Sequence, residues 1–237
     1  MVGKIIEMAK KTFENILLVS IPLLVISSCA SIGSLKSSKS DAAPAKEALR
    51  KNTPRSFYEI ACIGAFRDLN KSFSVAVLKD AITWCTNATE EGSSEAQYLL
   101  GTHYYRSMYP LSKAKFVDNP EYNPQKGFEF LIQSANRGEV DAQLEVGKLY
   151  AIAEYQRSPG QDPPQDCSKA IEWWQKAAEQ GSAAALCNIA YFSARPPFGC
   201  PWEQYGNYKK AYEYWEKAAA LGYKPAQDEL INRPRPK

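Results

Sequence analysis

Four glycines, Gly92, Gly138, Gly181 and Gly222, stand 46, 43 and 41 residues apart, and one pattern of small and large residues surrounds each of them. A period of this length marks a repeat architecture, in which each unit hides its apolar side only by stacking on the next. The pattern is clearest in residues 169–191, KAIEWWQKAAEQGSAAALCNIAY. Ala170, Trp173 or Trp174 and Ala177 share one stripe of a helix. Gly181 ends that helix, because a residue without Cβ adopts the left-handed conformation at no steric cost. Ser182 can then cap a second helix, with Ala185, Ile189 and Phe192 on one face.

Aligning the chain on the four glycines brings further columns into register. Eleven residues before them stand Ala81, Gly127, Ala170 and Ala211, and eight before stand Trp84, Phe130, Trp173 and Tyr214. Four after stand Ala96, Ala142, Ala185 and Ala226; eight after, Leu100, Val146, Ile189 and Leu230. The next column reads Gly101, Gly147, Ala190 and Ile231. A glycine inside a helix costs about 1 kcal/mol against alanine, so a tight helix crossing is the expected reason for it. Asn123, Asp166 and Asn207, fifteen before the last three glycines, read as N-caps.

These residues also carry a resemblance. A-x-x-x-L-G-x-x-Y at 96–104, its near-copy at 142–150, P-P-Q-D-x-x-K-A at 163–170 and K-A-A-E-Q-G at 176–181 resemble the Sel-one-like repeat family, a relative of the tetratricopeptide repeats. The resemblance spans about residues 79–231 and implies an all-α fold, a right-handed α-solenoid of stacked antiparallel helix hairpins. About four repeats are expected, with a closing helix at 225–231. The leading hairpin is degenerate, built from a helix at 55–66, where Ile63-Gly64 echoes Leu100-Gly101, and another at 75–91. The family's short Gly-x-Gly loop is replaced by long insertions at 106–125 and 194–208.

Four segments follow from this reading: residues 1–28, 29–54, 55–232 and 233–237. In the first, Lys4, Lys10 and Lys11 precede an apolar run at 16–26, about half the length that spans a bilayer, which is the layout of a signal peptide. Met8 offers a second start. The run ends Ile26-Ser27-Ser28-Cys29, which resembles a bacterial lipobox and implies lipid attachment at Cys29. Ala30 after it implies, by resemblance to enteric lipoproteins, sorting to the outer membrane, with the domain facing the periplasm. Residues 29–54 are rich in Ser, Ala and Lys and lack the apolar surface to fold alone, so they read as a tether with a reach of roughly 25 to 30 Å. Residues 55–232 form the repeat solenoid, and 233–237 a loose tail.

Six cysteines in an exported chain suggest an oxidising compartment. Cys62 with Cys85, on the two leading helices, and Cys167 with Cys200, at the same end of adjacent repeats, are the expected bridges. Cys187, in the column of Tyr98 and Leu144, reads as a buried small hydrophobe and the one free thiol.

Residues for chemistry are scarce. His103 is the sole histidine and reads as a surface or packing residue; no cofactor or metal ligand set is expected. Ser112 and Lys115 match S-x-x-K, but no S-D-N or K-T-G accompanies them. Net charge is only +3 and no basic stripe is sustained, so nucleic acid is not an implied partner. Trp84, Trp173, Trp174, Tyr214 and Trp215 fall in repeat columns and are expected in the core. Tyr105, Tyr109, Tyr155, Trp202 and Tyr205 lie in or beside the insertions, where aromatics with polar tips suit either contact with a protein partner or packing of the loops onto the stack. The expected function is a non-catalytic, lipid-anchored scaffold or adaptor in the bacterial envelope, binding a protein or peptide. Two alternatives are an enzyme or binder acting on cell-wall fragments and a surface-exposed factor binding host proteins.

Overall fold

The structure, a computed structural model, describes residues 55–69, 73–112, 115–152, 163–233 and 235–236, with the backbone alone for 110–112 and 115. The leader, Cys29 and the tether lie outside the described residues, as does Tyr155. Chain order is α1 (Phe57–Leu69), α2 (Val75–Glu90), α3 (Ser94–Tyr105), β1 (Met108–Ser112), β2 (Lys115–Asp118), α4 (Pro124–Asn136), α5 (Val140–Ala151), α6 (Cys167–Glu179), α7 (Ala183–Ala194), α8 (Trp202–Tyr205), α9 (Tyr208–Ala220) and α10 (Lys224–Asn232). The described residues form two compact units that divide at Ser182 and Ala183. The all-α fold expected from the periodicity is present, and the short β1–β2 hairpin falls in an insertion, outside the repeat.

One turn recurs four times. Gly92, Gly138, Gly181 and Gly222 all have positive φ, from 81° to 93°. In each case the next residue donates back to the carbonyl five before it: Ser93 to Ala88 at 2.9 Å, and Glu139 to Ser134, Ser182 to Ala177 and Tyr223 to Ala218 at 3.1 Å. The glycine N–H takes the carbonyl three before it, so two orphan acceptors of each helix end are satisfied. Glycine is required here because any side chain would strain the left-handed backbone.

The other end of each helix pair is tied as regularly. Asn123, Asp166 and Asn207 cap α4, α6 and α9, their side chains accepting from Lys126, Lys169 and Lys210 N–H at 2.9 to 3.0 Å. Their own N–H groups donate to Tyr104, Tyr150 and Ser193 at 2.8 to 2.9 Å, at the end of the preceding helix. Each intervening segment therefore begins and ends at one tied point, so its length leaves the repeat undisturbed.

The expected small columns are buried: Ala81, Ala170 and Ala211, and Ala96, Ala142, Ala185 and Ala226, are each at 0% exposure. The helix glycines serve close crossings. A Cβ on Gly101 would lie 2.7 Å from Leu131 Cγ, and one on Gly147 would collide with the indole of Trp174. Trp174 is held there by Nε1 donating to Leu144 O at 3.2 Å. The large column that faces these crossings is not the one eight before each turn but the one seven before it: Cys85, Leu131, Trp174 and Trp215, all 2% exposed or less. Trp84, Phe130 and Tyr214 are only half-buried, which corrects the expectation of a core position for Trp84 and Tyr214. Lysines lie over the outer rings instead, Lys176 4.1 Å from Trp173 and Lys217 5.3 Å from Tyr214.

At the first crossing a covalent bond replaces the glycine contact. Cys85 occupies the large column, and it is joined in a disulfide to Cys62, with Cα atoms 4.7 Å apart. Cys62, buried at 0%, thus stands where Gly101 and Gly147 stand in later repeats; Gly64, the expected equivalent, faces open space. Cys167, Cys187 and Cys200 are disulfide-bonded as well, and no described cysteine is free. Cys187 is therefore corrected from free thiol to bonded cysteine, although it is buried at 0%.

Gly147→Ala should lower stability by about 1 to 3 kcal/mol, because the added methyl displaces a buried indole; urea unfolding monitored by helical circular dichroism measures this. Joint replacement of Cys62 and Cys85 by serine should cost about 3 kcal/mol in the same assay, since the bond closes a loop with a sequence separation of 23.

Candidate functional site

The first insertion is built around one buried residue pair. His103, in the last turn of α3, and Tyr109, on β1, are each 1% exposed, and His103 Nδ1 shares a hydrogen bond with the Tyr109 hydroxyl. The pair is walled by aromatic rings: Phe73 stacks on Tyr109 at 5.1 Å between centroids, and Phe66 and Tyr104 lie 5.8 and 4.9 Å from the His103 ring. The Arg106 guanidinium sits 5.2 Å over Tyr109. Asn119 closes the insertion from its far end, donating to His103 O at 2.8 Å and to Arg106 O at 2.7 Å.

Between these ties β1 and β2 pair antiparallel, Met108 with Asp118, Tyr109 with Val117 and Pro110 with Phe116, shifting register before Ser112 meets Lys115. Successive strand residues point to opposite faces. Tyr109 therefore points inward, while Met108, 49% exposed, and Phe116, 63% exposed, stand on the opposite face. The hairpin, tied at both ends to α3, turns the apolar side chains of Met108 and Phe116 outward.

Burial sets the charge states of the His103 and Tyr109 pair. It lowers the His103 pKa to about 4, with help from the positive charges of Arg106 and Lys126, and it raises that of Tyr109 to about 12. His103 Nε2 is buried with no protein partner, so the imidazole is neutral at physiological pH and acts as a wedge. Tyr98 is likewise held protonated, by burial first and then by the carboxylates of Glu145, Asp141 and Glu139. Neither phenol is prepared to act as a base.

The insertion at 194–208, in the unit that begins at Ala183, has the same logic. Tyr205 lies edge-on to buried Phe192 at 5.7 Å, and Cys200 is buried. Gly206 N–H donates to Trp202 O at 2.6 Å, and the indole of Trp202 covers Gly206 so closely that a Cβ there would collide with it. Outside this anchor Phe198 and Trp202 are 73% and 53% exposed.

The partner-contacting residues read from sequence divide accordingly. Trp202 is exposed and Tyr105 and Tyr205 are half-buried. Tyr109 is buried, so it anchors the hairpin and offers nothing to a partner, a correction that follows from its bond to His103. Met108, Phe116 and Phe198 were missed; each is an apolar residue inside an insertion, and that was the available signal. Ser112 and Lys115 face each other across the hairpin end. Among the described residues no group of three or more His, Cys, Asp or Glu side chains is placed to hold a metal ion, and no helix is long and apolar enough to cross a membrane.

Three stretches match the Sel1 repeat model, 94–139, 140–182 and 183–223. Each starts two residues after a turn glycine and so contains a helix and the helix that packs across its glycine or alanine. The fold is similar to that of a Sel1 repeat protein from Oxalobacter formigenes, at 20% identity and a TM-score of 0.56, over 86% of this chain and 73% of that one. It is also similar to a protective antigen of uropathogenic Escherichia coli strains that displays an SLR fold, at 25% identity and a TM-score of 0.50; 87% of this chain matches 40% of that protein. Comparison with curated proteins gives no significant match.

Below pH 6.5 the unfolded chain takes up a proton on His103, whereas the folded chain does so only near pH 4. Stability is therefore complete above pH 6.5 and falls as the pH drops towards 4, by about 3 kcal/mol from this group. Unfolding midpoints measured across that range should drop more steeply for the parent than for His103→Gln.

Proposed function

The chain belongs to the Sel1 repeat family, a protein-interaction fold, and we propose that it is a non-catalytic envelope adaptor whose partner-binding surface is the outer face of the β1–β2 hairpin. The observation that carries this reading is the pairing of a buried anchor with an exposed apolar face. Tyr109 is fixed under His103, while Met108 and Phe116 stand open to water. Burying two such side chains against a partner contributes up to about 1.5 to 3 kcal/mol each, and the ties of Tyr109 and Asn119 to α3 reduce the ordering entropy that opposes it. Half-buried Tyr105 borders the hairpin along the chain and can supply a polar rim.

The lipobox at Cys29 supports tethering to a membrane. Acyl chains there would keep the adaptor at the membrane surface, as two or more lipid signals do for other proteins. Outer-membrane attachment with the repeats in the periplasm is the orientation that Ala30 favours. The S-x-x-K pair, Ser112 and Lys115, lies at the hairpin end, and it is the motif on which the cell-wall enzyme reading rests.

Crosslinking in the intact envelope tests the proposal. The parent chain should capture one protein partner from the membrane fraction, and Met108→Ser with Phe116→Ser should lower capture at least about tenfold while leaving the helical spectrum intact. Cys29→Ala should release the chain from acyl labelling without abolishing capture. Equal capture by the hairpin variant would reject the assigned surface, and loss of function on replacing Ser112 and Lys115 would favour the enzyme.

A further inference from the structure

The loop that carries Phe198 and Trp202 fits a different occupant from the hairpin. Between α7 and α9 the chain reads Arg195-Pro-Pro-Phe198-Gly-Cys200-Pro-Trp202-Glu203-Gln-Tyr205-Gly206, and then Lys209 and Lys210 on the first turn of α9. Phe198 and Trp202 are the most exposed aromatic rings described after Ser182. They are not exposed because the loop is slack. Three prolines restrict its backbone. Cys200, buried and disulfide-bonded, and Tyr205, packed on Phe192, hold it from inside. The Gly206 N–H bond to Trp202 O closes the C-terminal end of the short helix α8.

Charge selects among the surfaces that could receive two rings. From residue 195 to 210 the charged residues are Arg195, Lys209 and Lys210 against Glu203, three cations to one carboxylate. Arg195, Lys209 and Lys210 are exposed. A Trp and a Phe on a stiff loop, flanked by cations, match the interfacial zone of an anionic bilayer, where an indole sits at headgroup depth and lysines meet lipid phosphates.

We propose that this loop is a membrane-docking element, inserting Phe198 and Trp202 into the interface of an anionic phospholipid surface with Arg195, Lys209 and Lys210 on the headgroups. The inference is independent of acylation at Cys29 and of the hairpin's partner. It gives the unit that begins at Ala183 a contact surface of its own.

The test uses the full chain carrying Cys29→Ala, bound to vesicles of phosphatidylethanolamine and phosphatidylglycerol with brominated or unbrominated acyl chains. Bromine quenches only an indole that enters the lipid, so any attachment through the leader does not imitate the result. Trp202→Phe changes an exposed residue and isolates its emission from that of the other four tryptophans. The expected result is a bromine-dependent loss of emission in the parent that is absent from Trp202→Phe. That loss should weaken on replacing phosphatidylglycerol with phosphatidylcholine, and in a Lys209→Glu, Lys210→Glu chain. Equal quenching in the parent and Trp202→Phe, or none in either while the chain is on the vesicles, overturns the proposal and leaves a protein as the occupant of this loop.

Discussion

Close approach of two helices, at a small residue on one and a large apolar residue on the next, is the contact on which the rest of the fold depends. Gly101 takes Leu131 and Gly147 takes Trp174, while Ala190 and Trp215 lie in one buried cluster. The family unit is framed around the same pairing, since each matched stretch runs from the small-residue helix to its large-residue partner. Packing at this density tolerates neither a void nor an added methyl. The leading pair lacks the glycine and replaces the fit with a covalent bond between Cys62 and Cys85. Among the described residues this leading pair has a repeat on one side only, so a cross-link that lowers the entropy of the unfolded chain is well placed there.

Polar ties then make the stack tolerant of insertion. Gln143 donates to Ala135 O at 3.1 Å and accepts from Gln180 at 2.8 Å, and Gln227, its repeat equivalent, donates to Ala219 O at 3.4 Å. Buried amides must be paired, so each ties the start of one helix to the end of the one before. Because the capping Asn or Asp returns to the preceding helix end in all three repeats, the loop between can be lengthened at only a logarithmic cost in closure entropy. Function can therefore be carried by the insertions while the repeats supply rigidity.

How far the sequence revealed this depended on whether one residue or two could fill a role. A left-handed turn admits only glycine without strain, and a helix start needs a short polar side chain, so the turn glycines and Asn123, Asp166 and Asn207 were legible. Cys62 and Cys85 were legible as neighbours because each sits at comparable height on its own helix. The large column was not. Trp84-Cys85, Phe130-Leu131, Trp173-Trp174 and Tyr214-Trp215 place apolar residues at adjacent positions about 100° apart. Either could have faced the core, and the crossing angle, a tertiary property, chose the second of each pair. The hairpin was missed because its strands are only five and four residues long, with Pro110 and a register shift interrupting the alternation. Tyr109 was consequently left open between contact with a partner and packing of the loop onto the stack.

The two insertions that can be compared share one design, in different units and with different backbones. Each is pinned from within by a tyrosine on an aromatic neighbour, Tyr109 beside His103 and Tyr205 against Phe192, and each turns apolar side chains outward. A loop that had merely failed to bury its rings would fold them onto the nearest helix, since hydrophobic burial favours that for any flexible segment. Here the tyrosine anchor, the neutral imidazole wedge and the prolines hold each loop in place, so Met108 and Phe116, like Phe198 and Trp202, stay presented to solvent. Exposure maintained by such anchors lowers the entropy lost on docking, which is the physical ground on which both loops are proposed as contact surfaces.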